Sequence, residues 1–299
     1  MAQSPFPLPP DRDMPRLRHL LAPNPSPLTF HGTNTYLLGS GQVAVIDPGP
    51  EDDRHLAAIL AALDPGERIS HILVTHSHRD HSALAPRLSA ATGAPVLAFG
   101  RATDGRSPLM SRLAAAGLTA GGDGLDTDFT PDARLDDGST LHGPDWSLTA
   151  LHTPGHLGNH LCFALGGWLF SGDHVMGWSS SVISPPDGDM AAYCTALQRL
   201  QGEPWDRFLP GHGDPIPDPA ERLHALLTHR HQRETQILAL LSGAPADPGS
   251  LTMRLYHDTP PALHPAARRN VLAHLLDLLE NNRVRTSDPT APDAIFHLT

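Results

Sequence analysis

Residues 75 to 81 read Thr-His-Ser-His-Arg-Asp-His, and they end a compact β-branched run, Ile69 to Thr75, that predicts a buried strand. In an extended backbone, side chains two residues apart point the same way, so His76 and His78 can converge on one cation. Asp80 and His81, where the chain turns, can then face a second. Neutral imidazole and carboxylate suit zinc, and also iron or manganese when several oxygens join the coordination sphere.

Three further segments place similar chemistry downstream: Thr-Pro-Gly-His ending at His156, Ser-Gly-Asp-His with Asp173, and Pro-Gly-His-Gly with His212. Each follows an apolar run, so each site residue stands at a strand-to-loop junction, where a rigid sheet edge can hold it. The chain has 20 histidines, so position must decide which of them matter. For His160 and His174, beside His156 and Asp173, a ligand-supporting or substrate-facing role and a structural one both stay open. His152 reads as structural.

Alternation and turn signals predict strands at Thr29-Phe30, Tyr36–Leu38, Val43–Ile46, Val96–Phe99, Trp146–Leu151, Leu161–Leu165, Trp168–Ser171 and Phe208-Leu209. Helical spacing appears after Asp52, from Leu84 to Gly93, and from Met190 to Leu200. The resulting class is α/β, with sheets covered by helices. Residues 100–137 are rich in Gly and Asp and read as a long loop with one short helix near Leu109 to Ala116. Loops of that length often form lids, and a floppy insertion is the competing reading. Trp178 to Ser181 are expected to line the pocket.

From about 219 the texture is helical, in the order long helix, short helix, longer helix and terminal hairpin. This is the order of a small winged-helix unit, giving domains 1–218 and 219–299. His229, His231, His257, His264 and His274 fall in this tail, where solvated helix positions account for them.

The formal net charge is -11 and every basic residue is arginine, a composition that suggests a GC-rich bacterial genome. An acidic chain is a poor non-specific nucleic-acid binder, because that affinity rests on cations meeting phosphates. Cys162 and Cys194 lack the close spacing of a metal knuckle or redox pair and read as buried or half-buried thiols. The proline-rich start contains no apolar run long enough for a signal peptide or a membrane span, so no membrane association and a cytoplasmic location are expected.

With these residues in place, the chain resembles the metallo-β-lactamase superfamily over roughly the first 215 residues, and that likeness implies an αββα sandwich with metals at the edge of two facing sheets. Carried over by position, His76, His78 and His156 would bind one metal, Asp80, His81 and His212 the second, with Asp173 bridging. Asp47 would hold the ligand loop by hydrogen bonds. His81 and Asp173 argue against the class B1 β-lactamases, which use a cysteine and lack the bridging aspartate. Hydroxyacylglutathione hydrolase shares the ligand set, but its glutathione-binding tail has no recognisable counterpart here. HGTNTYLLGSG near the start and HRHQRETQIL before the tail resemble the beta-lactamase-like protein 2 group, whose members include a single-strand-specific endoribonuclease.

This likeness implies two divalent ions, zinc first, that lower the pKa of a bridging water and polarise a carbonyl or phosphoryl group. Asp80 would orient the water or assist proton transfer as well as bind metal. The excess positive charge favours an anionic or electron-rich small-molecule substrate, such as a thioester, ester or lactone. A single-strand endoribonuclease is the alternative, with an iron-dependent redox enzyme and a non-catalytic metal-binding module behind it. Residues 221–299 hold eight arginines against eight acidic residues, without the surplus expected of a nucleic-acid reader. The tail is therefore expected to shape the substrate mouth or to make a homodimer.

Overall fold

Leu37 and Leu38 are neighbours on one strand and both are fully buried, which requires that both faces of their sheet be covered. The computed structural model, which describes residues 14–119 and 124–299, shows how. One sheet consists of β1 (Leu17–Leu21), β2 (Asn34–Leu38), β3 (Gln42–Ile46), β4 (Arg68–Leu73), β5 (Val96–Ala98) and β6 (Ala133–Arg134), in that order. Its first three strands pair antiparallel and the rest parallel. The other contains β7 (Thr140–His142), β8 (Ser147–His152), β9 (Leu161–Leu165), β10 (Trp168–Gly172) and β11 (Arg207–Pro210), antiparallel except for the β10 and β11 pair.

Between the sheets, Tyr36, Leu38, Ile46 and Leu73 meet Leu148, Phe163, Phe170 and Leu209. Outside the first sheet lie α1 (Asp53–Ala61), the single turn α2 (Arg79–Ser82) and α3 (Ala85–Thr92), with Ile59 and Leu88 packed on Val43, Val45 and Ile72. Asp52 starts α1 by accepting from the Arg54 and His55 amides. After α4 (Pro108–Ala115), the helices α5 (Met190–Gln201) and α6 (Pro219–Gly243) cover the second sheet through Tyr193, Leu197, Leu223 and Leu226. The sandwich is therefore helix, sheet, sheet, helix.

The tail adds α7 (Pro248–Leu255), α8 (His264–Glu280) and a hairpin of β12 (Val284–Arg285) with β13 (His297–Leu298). Ile237 and Leu241 at the end of α6 join Leu251, Val271, Leu275 and Phe296 in its core. Among the described residues no helix is long and apolar enough to cross a membrane.

Several expectations need correction. Thr29-Phe30 is not a strand, since Ser26 and Phe30 only face each other across an isolated bridge. The true first strand is Leu17–Leu21, in the proline-rich start, of which residues 1–13 lie outside the described residues. It is a half-buried edge strand; β6, which is exposed, and β7, mostly exposed, are edge strands too, and the apolar pattern also left them unmarked. An edge needs no continuous apolar run. His274 is buried, not solvated, because α8 packs on three sides: Ala273 towards α5 and α6, Leu275 in the tail core, and Leu276 against α4. In the 100–137 segment, Met110, Leu113 and Leu118 dock on Leu276, so α4 and its flank are anchored to the tail. Residues 120–123 of that segment lie outside the described residues.

Candidate metal centre

The site is assembled from the ends of strands in both sheets. β4 leads into His76 and His78, α2 carries Asp80 and His81, and the turns after β8, β10 and β11 bring His156, Asp173 and His212. All seven meet in two groups, His76, His78, His156 and Asp173 in one and Asp80, His81 and His212 in the other, with donor atoms in each group within 4.8 Å of one another.

Hydrogen bonds behind the donors decide which atom each ring presents. His156 Nδ1 donates to the Val182 carbonyl at 2.7 Å and His212 Nδ1 to the Gly32 carbonyl at 3.1 Å, leaving both Nε2 atoms facing the cluster. His76 Nδ1 donates to Thr75 Oγ1 at 2.9 Å, and that hydroxyl donates to Asp47 Oδ2 at 2.8 Å. Asp47 also accepts from the Thr75 amide at 2.7 Å and from His81 Nδ1 at 2.8 Å. Asp47 itself has φ 52, a left-handed conformation that costs a non-glycine residue about 1–2 kcal/mol and persists here because three donors fix its carboxylate.

Three nitrogens, His76 Nε2, His78 Nδ1 and His156 Nε2, converge with successive separations of 3.0 Å. Burial, together with His156, pushes the His78 imidazole down to about 3. Burial likewise holds His76 well below the usual range and lowers His156. Neutral lone pairs facing one another at this separation are what a tetrahedral cation with N ligands at ~2.0–2.1 Å needs.

The second group carries compensated charge. Burial opposes an imidazolium at His81, but Asp80, Asp173 and Asp47 outweigh it and hold that ring well above its ordinary value. At His212 burial is overcome in the same way by Asp173 and Asp80, and the ring is pushed up to about 10. Protons here occupy the electrostatic role a divalent cation would take. Asp173 stands between the groups, with Oδ2 3.8 Å from His156 Nε2 and 3.4 Å from His212 Nε2, and Oδ1 3.4 Å from His81 Nε2. Its Oδ1 is buried without a hydrogen-bond partner, so the donor set as a whole fits cations on both sides of this carboxylate.

Space is enforced by Gly211, where a Cβ would lie 2.5 Å from Asp173 Oδ1 and 2.6 Å from His81 Cε1. His160 and His174 sit behind the donors rather than in the cleft, with His160 stacked on His76 at 5.1 Å between centroids. His152 stacks on Phe99 and bonds the Gly158 carbonyl, a structural role. Cys162 is buried and Cys194 half-buried.

His78, Asp80, His156, Asp173 and His212 form the floor of a cleft of about 300 Å³, walled by Leu28, Leu125, Leu157, Met176 and Val182 and rimmed by Arg79, Asp187 and Arg269. Trp178 and Ser181 do not line it. Trp178 stacks on Phe30 at 5.0 Å beside a separate groove, and Ser181 is turned inwards, donating its hydroxyl to the carbonyls of Asp173 and His174. Sequence reasoning missed that buried Arg230 of α6 donates to the Ser181 carbonyl at 2.6 Å, while Arg222 ties down the Met176 and Ser179 carbonyls. It also missed Arg269, on a helix that only the fold brings to the cleft. A surface-like arginine in a helical pattern carries no signal of either placement.

Comparison with known proteins agrees with this architecture. Residues 28–212 match the family model "Metallo-beta-lactamase superfamily", and residues 248–290 match "Beta-lactamase associated winged helix domain". A beta-lactamase-like protein 2 homolog of Drosophila melanogaster is 32% identical over 280 residues, covering 90% of this chain and 89% of that protein. An atrochrysone carboxyl ACP thioesterase of Paecilomyces divaricatus is 29% identical over 244 residues, covering 79% and 68% respectively. A metallo-beta-lactamase family protein of Thermus thermophilus, known from its crystal structure, superposes with a TM-score of 0.72 at 25% identity, covering 95% of this chain and 98% of that one. With its sandwich, its clustered histidines and aspartates and its winged-helix tail, the chain belongs to the metallo-β-lactamase superfamily and resembles the beta-lactamase-like protein 2 homologs within it.

Proposed function

We propose that this chain is a hydrolase of thioesters, esters or lactones that holds two divalent cations, zinc, iron or manganese, with thioesters favoured by the thioesterase names among its relatives. The observation that carries the reading is the position of Asp173, a buried carboxylate facing a neutral trio of histidines on one side and Asp80, His81 and His212 on the other. His76, His78 and His156 would hold one cation, Asp80, His81 and His212 the other, and Asp173 both. We place the division between the catalytic unit, 1–218, and the C-terminal unit, 219–299, at Asp218, which caps α6.

When bound, the cations supply Lewis acidity, which lowers the pKa of water and polarises a carbonyl. The chain's own residues do the remaining work. Asp47, Thr75 and the Gly32 and Val182 carbonyls keep the rings in single orientations, so no reorganisation is needed during reaction. Apolar walls at Leu125, Leu157 and Val182 limit water around the scissile bond. The Asp80 side chain is 25% exposed, against 10% for Asp173, and so is the carboxylate placed to meet an attacking water. In thioester hydrolysis the water oxygen bonds to the acyl carbon and the carbon–sulfur bond breaks. Asp80 is positioned to take the proton from water and return it to the leaving thiolate.

The test is thiol release from a short thioester by full-length protein loaded in turn with zinc, iron and manganese, beside Asp173→Asn prepared identically. Turnover that a chelator abolishes and that falls at least about a thousandfold in the variant supports the reading. An end-labelled single-stranded RNA is run in parallel. Cleavage of RNA by the wild type alone, with no thioester or lactone turned over, replaces this reading with the ribonuclease one.

A further inference from the structure

A second cavity of about 700 Å³ opens beside the catalytic cleft, between the end of α4, the loop at Pro185, and helices α7 and α8. It is more than a neighbouring hollow. Arg269 lines both spaces, and Ser184 of the cleft is bonded through the chain to Pro185 of the groove. The groove therefore adjoins the cleft on a side away from the metal donors. Its walls come from the two parts of the chain that the metal motif does not explain, the 100–137 segment and the winged-helix tail, held together where Leu113 and Leu118 pack on Leu276.

The chemistry of the lining selects the occupant. Leu118, Leu272 and several prolines give a predominantly apolar surface, and Met253, 59% exposed, projects from α7 into the same space. In a chain of net charge -11, no Asp or Glu is among the described residues that line the groove. Arg268 is committed to framing it, pairing with Asp293 at 2.9 Å and bonding the Pro292 carbonyl at 2.7 Å. An apolar trough with no acidic lining residue, set beside an electrophilic site and sharing Arg269 with it, fits an acyl chain whose carbonyl lies in the cleft.

We propose that this groove is the acyl subsite, which makes the enzyme a hydrolase of medium- to long-chain acyl thioesters; the proposal rests on the hydrolase reading above for its chemistry. The winged-helix unit then acts as half of a substrate tunnel. The helix α8, whose equivalent in a nucleic-acid reader would lie exposed, has Val271, Leu275, Leu276 and Leu278 buried and presents its remaining face to the two cavities.

The experiment measures kcat/KM for N-acetylcysteamine thioesters of linear acids from acetyl to decanoyl, using metal-loaded, full-length protein. Wild type is expected to gain about threefold to fourfold per added methylene until the groove is full. Met253→Asp and Thr119→Trp, two exposed positions on opposite walls, should flatten that series while leaving acetyl turnover unchanged. A flat series in wild type, or an equal loss on every substrate in both variants, overturns the assignment. Sensitivity of the variants to acetyl-CoA against acetyl-N-acetylcysteamine, rather than to acyl length, also overturns it and assigns the groove to the thiol-bearing arm. Calorimetric titration with decanoate and acetate separates the two proposals. Decanoate binding weakened at least about tenfold by Met253→Asp, with no thioester cleaved, keeps the groove and removes the hydrolase reading. Acetyl turnover without length dependence does the reverse, and neither binding nor turnover removes both.

Discussion

Asp47 accepts the Nδ1 proton of His81 at 2.8 Å, from a backbone position with φ 52 that only its hydrogen bonds make tolerable. The same carboxylate, through Thr75, orients His76, so one side chain outside both donor groups sets a ring in each. Asparagine tolerates left-handed backbone but cannot accept from all three donors. Asp47→Asn should weaken cation binding roughly 10- to 100-fold, more at the His81 group, with the far-ultraviolet circular dichroism unchanged. Metal titration with a competing chelator reads this directly, and undiminished affinity at both sites would show that Asp47 holds only the backbone.

Cation uptake should release protons. His212, pushed up to about 10 by Asp173 and Asp80, is protonated at neutral pH in the ion-free protein, and His81 lies well above its ordinary value for the same reason. The contribution of His212 to ion-free stability is therefore full below 6.5 and is lost as pH rises through about 10. A cation must displace these protons, so affinity for the Asp80, His81 and His212 group rises with pH across that window. Calorimetric titration in two buffers of different ionisation enthalpy counts the protons. A count near zero would contradict the charge arrangement described above.

Gly211→Ala tests crowding at the centre. The added methyl would come within 2.5 Å of Asp173 Oδ1, a contact that forces the carboxylate to move. Metal affinity and turnover should fall at least about tenfold while the melting transition stays cooperative. Gly243→Ala, at the last residue of α6 with open space around it, serves as the control and should stabilise slightly or not at all.

Asp277 on α8 carries a cost at neutral pH. Burial, with Glu234 and Asp189 nearby, raises its carboxyl from 3.8 to about 6. An acid raised in the folded state stabilises below its unfolded value and loses that contribution as pH rises through the folded one. Asp277→Asn should therefore raise the melting temperature at pH near 8, with the gain shrinking to nothing near pH 4. A gain that is independent of pH would trace the effect to something other than this charge.

What was legible in the sequence divides along a physical line. The seven candidate donors stand out because THSHRDH and three glycine-flanked turns lie within a few residues of strong apolar runs, and the resulting fold gathers them into two groups. Central strands and the helices covering them carry dense apolar patterns. The edge strands Leu17–Leu21 and Thr140–His142 are half-solvated and carry none, so they were missed. His274 escapes a local reading because α8 packs on three sides, so burial along it does not follow a single apolar stripe from which polar residues are excluded. Arg230 and Arg269 reach the site through tertiary contacts across distant parts of the chain, and no local spacing encodes such a contact.

The candidate donors are divided between the two halves of the sandwich. His76, His78, Asp80 and His81 extend from one sheet, and His156, Asp173 and His212 from the other. A cation held by donors from both would therefore act as a rivet, and its binding free energy would be spent partly on keeping two greasy surfaces pressed together. Loosening of the core and loss of metal become the same event seen from two ends. Heating or chelation would each start the other, and the protein's working lifetime would be set by how tightly its ions are held as much as by the quality of its packing.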